Sequence, residues 1–113
     1  MIGSGLKKLA REQGLTIGGG VAYGNLQGFA ATLGDGANIK YVSFHTRFPD
    51  QAAADRLAGE LADKDLRKEY RIGDAQIGED GVAVIFQDAP GTMKRLRAFL
   101  DWFMPRLRAA GAT

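Results

Sequence analysis

The sequence predicts an α+β domain, with helices packed on a mainly antiparallel sheet, and three observations predict it. Apolar residues alternate with other residues in several short segments, which is typical of half-buried strands. Short turn-forming segments rich in Gly, Asn and Asp separate most of them, and short connections favour antiparallel pairing. A segment near the C-terminus instead has apolar residues at spacings of three and four, as in an amphipathic helix. The predicted order is α-β-β-β-α-β-β-α, a single domain over residues 1–109 followed by a tail or linker at 110–113.

The composition is that of a folded domain. Of the 113 residues, 25% are charged and 45% are hydrophobic, and 15 basic against 13 acidic residues give a net charge of +2. Cysteine is absent and histidine occurs once, which excludes disulfide scaffolds and thiol chemistry and argues against a His-based metal site. We therefore expect no metal and no cofactor. No apolar run is long enough to span a membrane and no signal peptide is evident, so we expect a cytoplasmic location.

The first elements are a short helix and two strands. Ser4 can cap the helix and Gly14 can end it. Its apolar positions are Leu6, Leu9 and Ala10. Residues 16–23 form the first predicted strand, which the glycines at 18–20 weaken, and residues 25–28 are turn material. Phe29, Ala31 and Leu33 mark the second strand, and residues 34–38 have the composition of a hairpin loop.

Residues 39–48 have the clearest strand pattern. One side carries the apolar residues Val42, Phe44 and Phe48. The other side carries Tyr41, Ser43, His45 and Arg47. Because side chains alternate along a strand, these four would form the polar lining of the sheet if one face stays open. They are the candidate residues for a ligand or for an interface with a second subunit.

The middle of the chain predicts one helix and two strands. Asp50 is the natural N-cap of the helix. Its apolar stripe is Ala54, Leu57, Ala58 and Leu61. The acidic stretches at 63–65 and 79–80 are interpreted as solvated loops. The next strand begins with Tyr70 and Ile72 and extends toward Ile77, and the last strand carries Val82, Val84 and Phe86.

The final helix is predicted over residues 92–108. A single apolar stripe contains Met93, Leu96, Leu100, Phe103 and Leu107, and Phe99 and Met104 widen it. Pro105 removes one helical hydrogen bond, so the helix either bends there or restarts with the proline near its first position.

Trp102 lies off this stripe, on the side of Arg95 and Arg106. Arg106 is four residues on and can lie over the indole as a cation–π partner. A tryptophan beside arginines suits a protein interface or a lipid headgroup region. The alternative is that another element, such as the N-terminal helix, covers Trp102. We treat Arg95, Trp102 and Arg106 as candidates for contact with a partner or a lipid surface.

Two patterns in the sequence bear on phosphate binding and on catalysis. The glycines at 18–20 match neither the dinucleotide fingerprint nor the P-loop template, so they are interpreted as a bulged or edge strand. Ser43 and His45 lie two residues apart on one side of the strand, so a nucleophile and its base are conceivable there. Their spacing does not imply such a pair, because an orienting carboxylate, such as Asp88, cannot be placed from the sequence. The sequence therefore predicts no catalytic residues, although an enzyme built on Ser43 and His45 remains a third hypothesis.

Charge is unevenly distributed along the chain. Residues 1–14 carry +2, residues 15–90 carry −4 and residues 91–113 carry +4. Basic ends favour an anionic partner or a lipid surface, and solvated helix faces are the alternative. Nucleic acid is not predicted, because no aromatic RNA-binding signature accompanies the charge.

Two resemblances add expectations. GVAYGNLQGF (20–29), FPDQ (48–51) and DAPGTMKRLRAFLDWFMPRLRAAGAT (88–113) resemble the N-terminal soluble domain of uncharacterised bacterial membrane proteins. In those proteins the domain is followed by a segment with cysteines of the kind that bind zinc, and then by transmembrane helices. The resemblance implies that any such segments would lie beyond Thr113. The element order resembles that of the type III secretion chaperone fold, whose members dimerise and bind extended segments of client proteins.

The leading functional hypothesis is a non-enzymatic protein-interaction module, homodimeric and membrane-proximal in a longer protein. The alternative is a small-ligand or sensory domain that uses the sheet face around His45.

Overall fold

Six strands and four helices make up the described part of the chain, residues 2–113 of a computed structural model. The elements are α1 Ser4–Glu12, β1 Thr16–Gly18, β2 Val21–Leu26, β3 Phe29–Gly36, β4 Ile39–His45, α2 Gln51–Leu61, α3 Lys64–Tyr70, β5 Ile72–Gly78, β6 Gly81–Gln87 and α4 Thr92–Ala109. The strands form one sheet in the order β1-β2-β3-β4-β6-β5, and every neighbouring pair is antiparallel. The predicted α+β class is confirmed, with one more strand and one more helix than expected.

The two faces of this sheet have different environments. The inner face packs against the helices. Its central cross-strand row consists of four fully buried residues, Ala22, Leu33, Val42 and Val84. All four helices contribute buried residues to the same core as these strands. No helix among residues 2–113 packs on the opposite side, which we call the outer face. Its side chains come from the strand residues that lie between those of the inner face.

The first predicted strand is in fact a two-stranded hairpin. Gly19 and Gly20 have positive φ angles of 62° and 80°, which turn the chain back so that β2 pairs with β1. Gly19 and Gly20 therefore form a tight turn, whereas Gly18 ends β1, which is an edge strand as predicted. A second two-residue turn follows at Gln27 and Gly28, and Asn25 Oδ1 accepts the Gly28 N–H at 2.8 Å.

The short helix α3 was not predicted. Residues 63–65 were interpreted as a loop, but Asp63 is the N-cap residue of α3. Tyr70 ends this helix instead of beginning a strand, and Arg71 turns the chain into β5 with a left-handed φ of 54°. Seven residues are too few to give a clear helical period, so alternating Tyr70 and Ile72 resembled a strand.

Two smaller helix expectations were also wrong. The N-cap residue of α1 is Gly3, and Ser4 is the first residue inside the helix. Among residues 2–113, no side chain makes a capping hydrogen bond to this end of α1. In α2, Ala58 is exposed and Ala53 is buried in its place beside Ala54 and Leu57. Asp50 does cap α2, because its side chain accepts the Ala53 N–H at 2.8 Å.

Helix α4 supplies the aromatic centre of the core. Phe99 is fully buried, and its ring centroid lies 5.2 Å from that of Phe86, 5.6 Å from that of Tyr70 and 5.1 Å from that of Phe103. Pro105 lies inside the helix, which continues past it to Ala109, and its side chain is exposed. The restart of the helix at Pro105 is therefore not observed.

Residues 110–113, predicted as a tail or linker, turn back onto the domain. The backbones of Arg47 and Thr113 exchange two hydrogen bonds, at 3.1 and 3.0 Å. The buried Thr46 hydroxyl donates to the Thr113 carbonyl at 2.8 Å. These bonds hold the segment against the residues that follow β4.

Candidate functional site

The outer face is a nearly continuous surface across all six strands. One cross-strand row consists of Thr16, Tyr23, Thr32, Ser43, Ala83 and Gln76. The next row consists of Gly18, Val21, Gly34, Tyr41, Ile85 and Asp74. A third, shorter row consists of Asn25, Ala30 and His45. Most of these side chains are small, so the surface has few projections.

Charge is nearly absent from this surface. Asp74 is the only Asp, Glu, Lys or Arg in the three rows, whereas a quarter of the whole chain is charged. A sheet face that only meets water usually carries charged residues on alternate positions. Depletion of charge together with exposed tyrosine is instead typical of the centre of a protein interface.

Tyr41 covers a gap that a glycine leaves in the outer face. Gly34 is buried, and an ideal Cβ placed on it would lie 2.4 Å from the Tyr41 hydroxyl. The phenol ring therefore lies across the β3 backbone instead of standing away from the sheet. This arrangement flattens the centre of the outer face.

A shallow concavity of about 440 Å³ opens at one end of the outer face. Its lining consists of Tyr23, Gly24, Asn25, Ala30, Ala31, Thr32 and His45. The His45 Nε2 and Thr32 Oγ1 atoms are 3.2 Å apart, within hydrogen-bond distance across the two strands. His45 is exposed and is one of the residues that line the concavity.

The structure separates the four polar residues that the strand pattern had grouped. Tyr41, Ser43 and His45 share the outer face, as predicted. Arg47 lies beyond the end of β4, where its backbone pairs with Thr113. It borders a different depression, which it shares with His45 and Asp80.

The geometry does not assemble a triad around Ser43 and His45. His45 pairs with Thr32 across the strands, and no hydrogen bond joins it to Ser43 among the described residues. Asp88 follows β6, and its backbone N–H donates to the Asn38 carbonyl at 2.9 Å, beside the start of β4. His45 is the last residue of β4, so Asp88 lies at the other end of the strand and does not orient the imidazole.

The group of Arg95, Trp102 and Arg106 is only partly brought together. The Arg106 guanidinium lies 4.3 Å from the Trp102 ring centroid, which confirms the predicted stacking. Trp102 is half-buried, and the element that covers it is α3, through Tyr70, and not the N-terminal helix. Arg95 instead donates to the Pro90 carbonyl at 2.8 Å.

A charged cluster marks the end of the sheet opposite to His45. The Asp35 carboxylate accepts hydrogen bonds from Lys40 Nζ and from the Gly3 N–H, both at 2.6 Å. Partial burial alone would raise the pKa of Asp35, but these bonds outweigh it and hold that pKa below its usual value. The cluster ties the chain before α1 to the β3–β4 hairpin.

Sequence reasoning missed Tyr23, Asn25 and Thr32 as members of the candidate site. Their strands were assigned too short or were merged, so their shared face was not visible. Cross-strand register is the information that groups them, and a tertiary arrangement supplies it.

Comparison with protein-family models, with curated proteins and with solved structures found no match. Within residues 2–113, no helix is both long enough and apolar enough to cross a membrane. Nor do the described side chains bring three His, Asp or Glu residues together in a group that could hold a metal ion.

Proposed function

We propose that the chain is a non-enzymatic protein-interaction module that binds a second copy of itself through the outer face. The observation that carries this proposal is the sheet face without a helix, from which charge is nearly absent. In a two-fold symmetric dimer only the groups near the symmetry axis meet their own copies, so a charge at the centre of the face would be repelled by its copy. The outer face avoids that cost because Asp74 lies on the edge strand β5, away from the centre.

The size of the outer face supports a moderate interaction. Six strands about 4.8 Å apart, each about six residues long, cover roughly 500 Å². Two copies would bury about 1,000 Å², which is near the lower limit for a specific interface. We therefore expect a dimer that dissociates on dilution, and not an obligate one.

The sheet edges are poor alternatives for association. The strand β1 at one edge has only three residues. At the other edge, β5 has a register shift between Ile72 and Asp74. Short and irregular edge strands disfavour pairing with another chain, which leaves the face as the surface for association.

Light scattering coupled to size-exclusion chromatography over a wide concentration range tests the dimer. The native chain should reach twice the mass of one chain as its concentration rises. Ser43→Arg places a charge in the centre of the outer face and should shift the protein to a monomer. Ala58→Arg adds the same charge at an exposed position of α2 and should leave the dimer intact. A native chain that stays monomeric at every concentration contradicts the proposal.

The concavity beside His45 favours a second candidate, a small-ligand or sensory domain. Its volume of about 440 Å³ is in the range of small-molecule sites, and Tyr23 offers an aromatic surface next to the His45 and Thr32 polar atoms. A ligand that binds there should raise the melting temperature of the native chain. The same ligand should leave the melting temperature of the His45→Ala variant unchanged. A compound library without a single such hit counts against this candidate.

A further inference from the structure

The two basic ends of the chain meet in the structure. Helix α1 lies against the start of α4, because an ideal Cβ on Gly5 would lie 2.6 Å from Met93 Cγ. A salt bridge between Glu12 and Arg97 joins the two helices further along. Its hydrogen bond lowers the pKa of Glu12, and the positive charges of Arg97 and Lys8 lower it further. The basic residues of α1 therefore lie beside those of the first half of α4.

We define the basic face as the side of α1 and α4 that carries the exposed residues Lys8, Arg11, Lys94 and Arg108 and the half-buried Arg97. Glu12 and Asp101 are the carboxylates of these two helices, so the five cations leave a net charge of +3. Lys8, Arg11 and Lys94 have no salt-bridge partner among residues 2–113. These three cations are available to an external anion.

We propose that the basic face docks the domain on an anionic lipid bilayer. This surface is separate from the outer face and goes beyond the proposed dimer. Juxtaposed cations on a side-by-side helix pair match the diffuse negative charge of a bilayer surface, and Lys and Arg near such a surface contribute cumulatively to binding. Since the helices cover the inner face of the sheet, docking through α1 and α4 leaves the outer face directed away from the lipid.

The basic face fits a bilayer better than it fits a nucleic acid. Binding to single strands depends on exposed aromatic side chains that stack with bases. Among the described residues, the exposed large hydrophobic side chains are Ile17 and Tyr23, and both are in strands. Trp102, which the sequence had suggested for lipid contact, is half-buried between α3 and Arg106. Docking is therefore electrostatic and inserts no aromatic residue.

Co-sedimentation of the native chain with vesicles tests this proposal. Vesicles containing phosphatidylserine should bind the chain at low salt and release it at high salt, and vesicles of phosphatidylcholine alone should not bind it. The triple variant Lys8→Glu, Arg11→Glu, Lys94→Glu should lose at least about 100-fold in partitioning, since each cation near an anionic bilayer is worth about a factor of five. Trp102 fluorescence should not change on binding.

A control variant carries the same change of net charge at another surface. Arg56→Glu, Lys64→Glu and Lys68→Glu alter exposed positions of α2 and α3, and this variant should bind much more tightly than the α1–α4 variant. Circular dichroism checks that each variant is folded. If a Glu variant does not fold, the corresponding Gln variant replaces it, and its loss of vesicle binding should be smaller because the charges are removed and not reversed. Equal losses in the two variants would overturn a defined basic face. Failure of the native chain to bind anionic vesicles, or tighter binding to an oligonucleotide, would overturn the lipid proposal.

Discussion

The inner and outer faces of the sheet are formed by alternate residues of the same strands. On β4, Val42 is fully buried under the helices, and the adjacent Ser43 and Tyr41 face outward. Neither face uses charge at its centre. For the inner face the helices explain this, because unpaired charge in a core is costly. On the outer face no element of the described chain explains it, and this difference is the basis of the proposed interaction.

The largest expected effect is a difference in stability between substitutions on the helix side and on the outer face of the sheet. Phe99→Ala removes a fully buried ring from the helix side and should lower the free energy of unfolding by about 3–5 kcal/mol. Tyr23→Ala on the outer face should cost much less, because that side chain is 47% exposed. Urea denaturation of both variants, at a concentration where the native chain is monomeric, measures the contrast. Similar losses would mean that the outer face contributes to the fold as much as the core does.

A glycine pair tests how closely the strands approach each other. An ideal Cβ on Gly81 would lie 2.3 Å from the Phe44 carbonyl oxygen, so Gly81→Ala should force the backbone of β4 or β6 to move. The expected loss is about 1–3 kcal/mol. Gly78 is its partner in the β5–β6 hairpin and has no atom near the corresponding position, so Gly78→Ala is the matched control. Thermal unfolding of the two variants should rank them in that order, and equal melting temperatures would contradict the close approach.

The charged cluster at the sheet end predicts a dependence on pH. Because its hydrogen bonds lower the folded-state pKa of Asp35, this carboxylate stabilises the fold above its unfolded-state pKa of about 3.9, and the stabilisation is lost as the pH falls through the lower folded value. Asp35→Asn should cost about 1 kcal/mol at neutral pH.

Denaturation across a pH series should show the native chain and Asp35→Asn converging in acid. Asp88→Asn should have a smaller effect, since that carboxylate is 3.7 Å from Lys40 and more exposed. A difference between the native chain and Asp35→Asn that persists unchanged at low pH would show that the lost contact is not ionic.

The smallest expected effect concerns the outside of the helix layer. Arg106→Met keeps an apolar side chain over Trp102 but removes the cation, and should cost about 0.5–1 kcal/mol. Trp102 is the only tryptophan, so its emission spectrum should change in this variant. Arg95→Met removes a neighbouring arginine that does not stack on the indole and should leave the emission unchanged. An unaltered spectrum in Arg106→Met would show that the stacking is not populated.

Much of the fold was predictable because periodicity is a local property. The stripe of α4 and the alternation in β4 and β6 all correspond to observed elements. The extra hairpin and α3 escaped because three-residue β1 and seven-residue α3 are shorter than the windows in which a period can be recognised. Only part of the candidate site was predictable: Tyr41 and His45 come from one strand, whereas Thr32 and Tyr23 join them from others. The suggested family resemblances stay predictions.

The sequence alone determined the α+β class, the polar side of β4 and the excess of positive charge at both ends, since each depends on residues close together along the chain. The tertiary structure decided which strands are neighbours, that all four helices cover the same face, and that α1 meets α4. Those outcomes depend on contacts between segments far apart in sequence, such as Arg97 with Glu12. Local patterns state which side of an element is apolar, and packing decides which elements share that side.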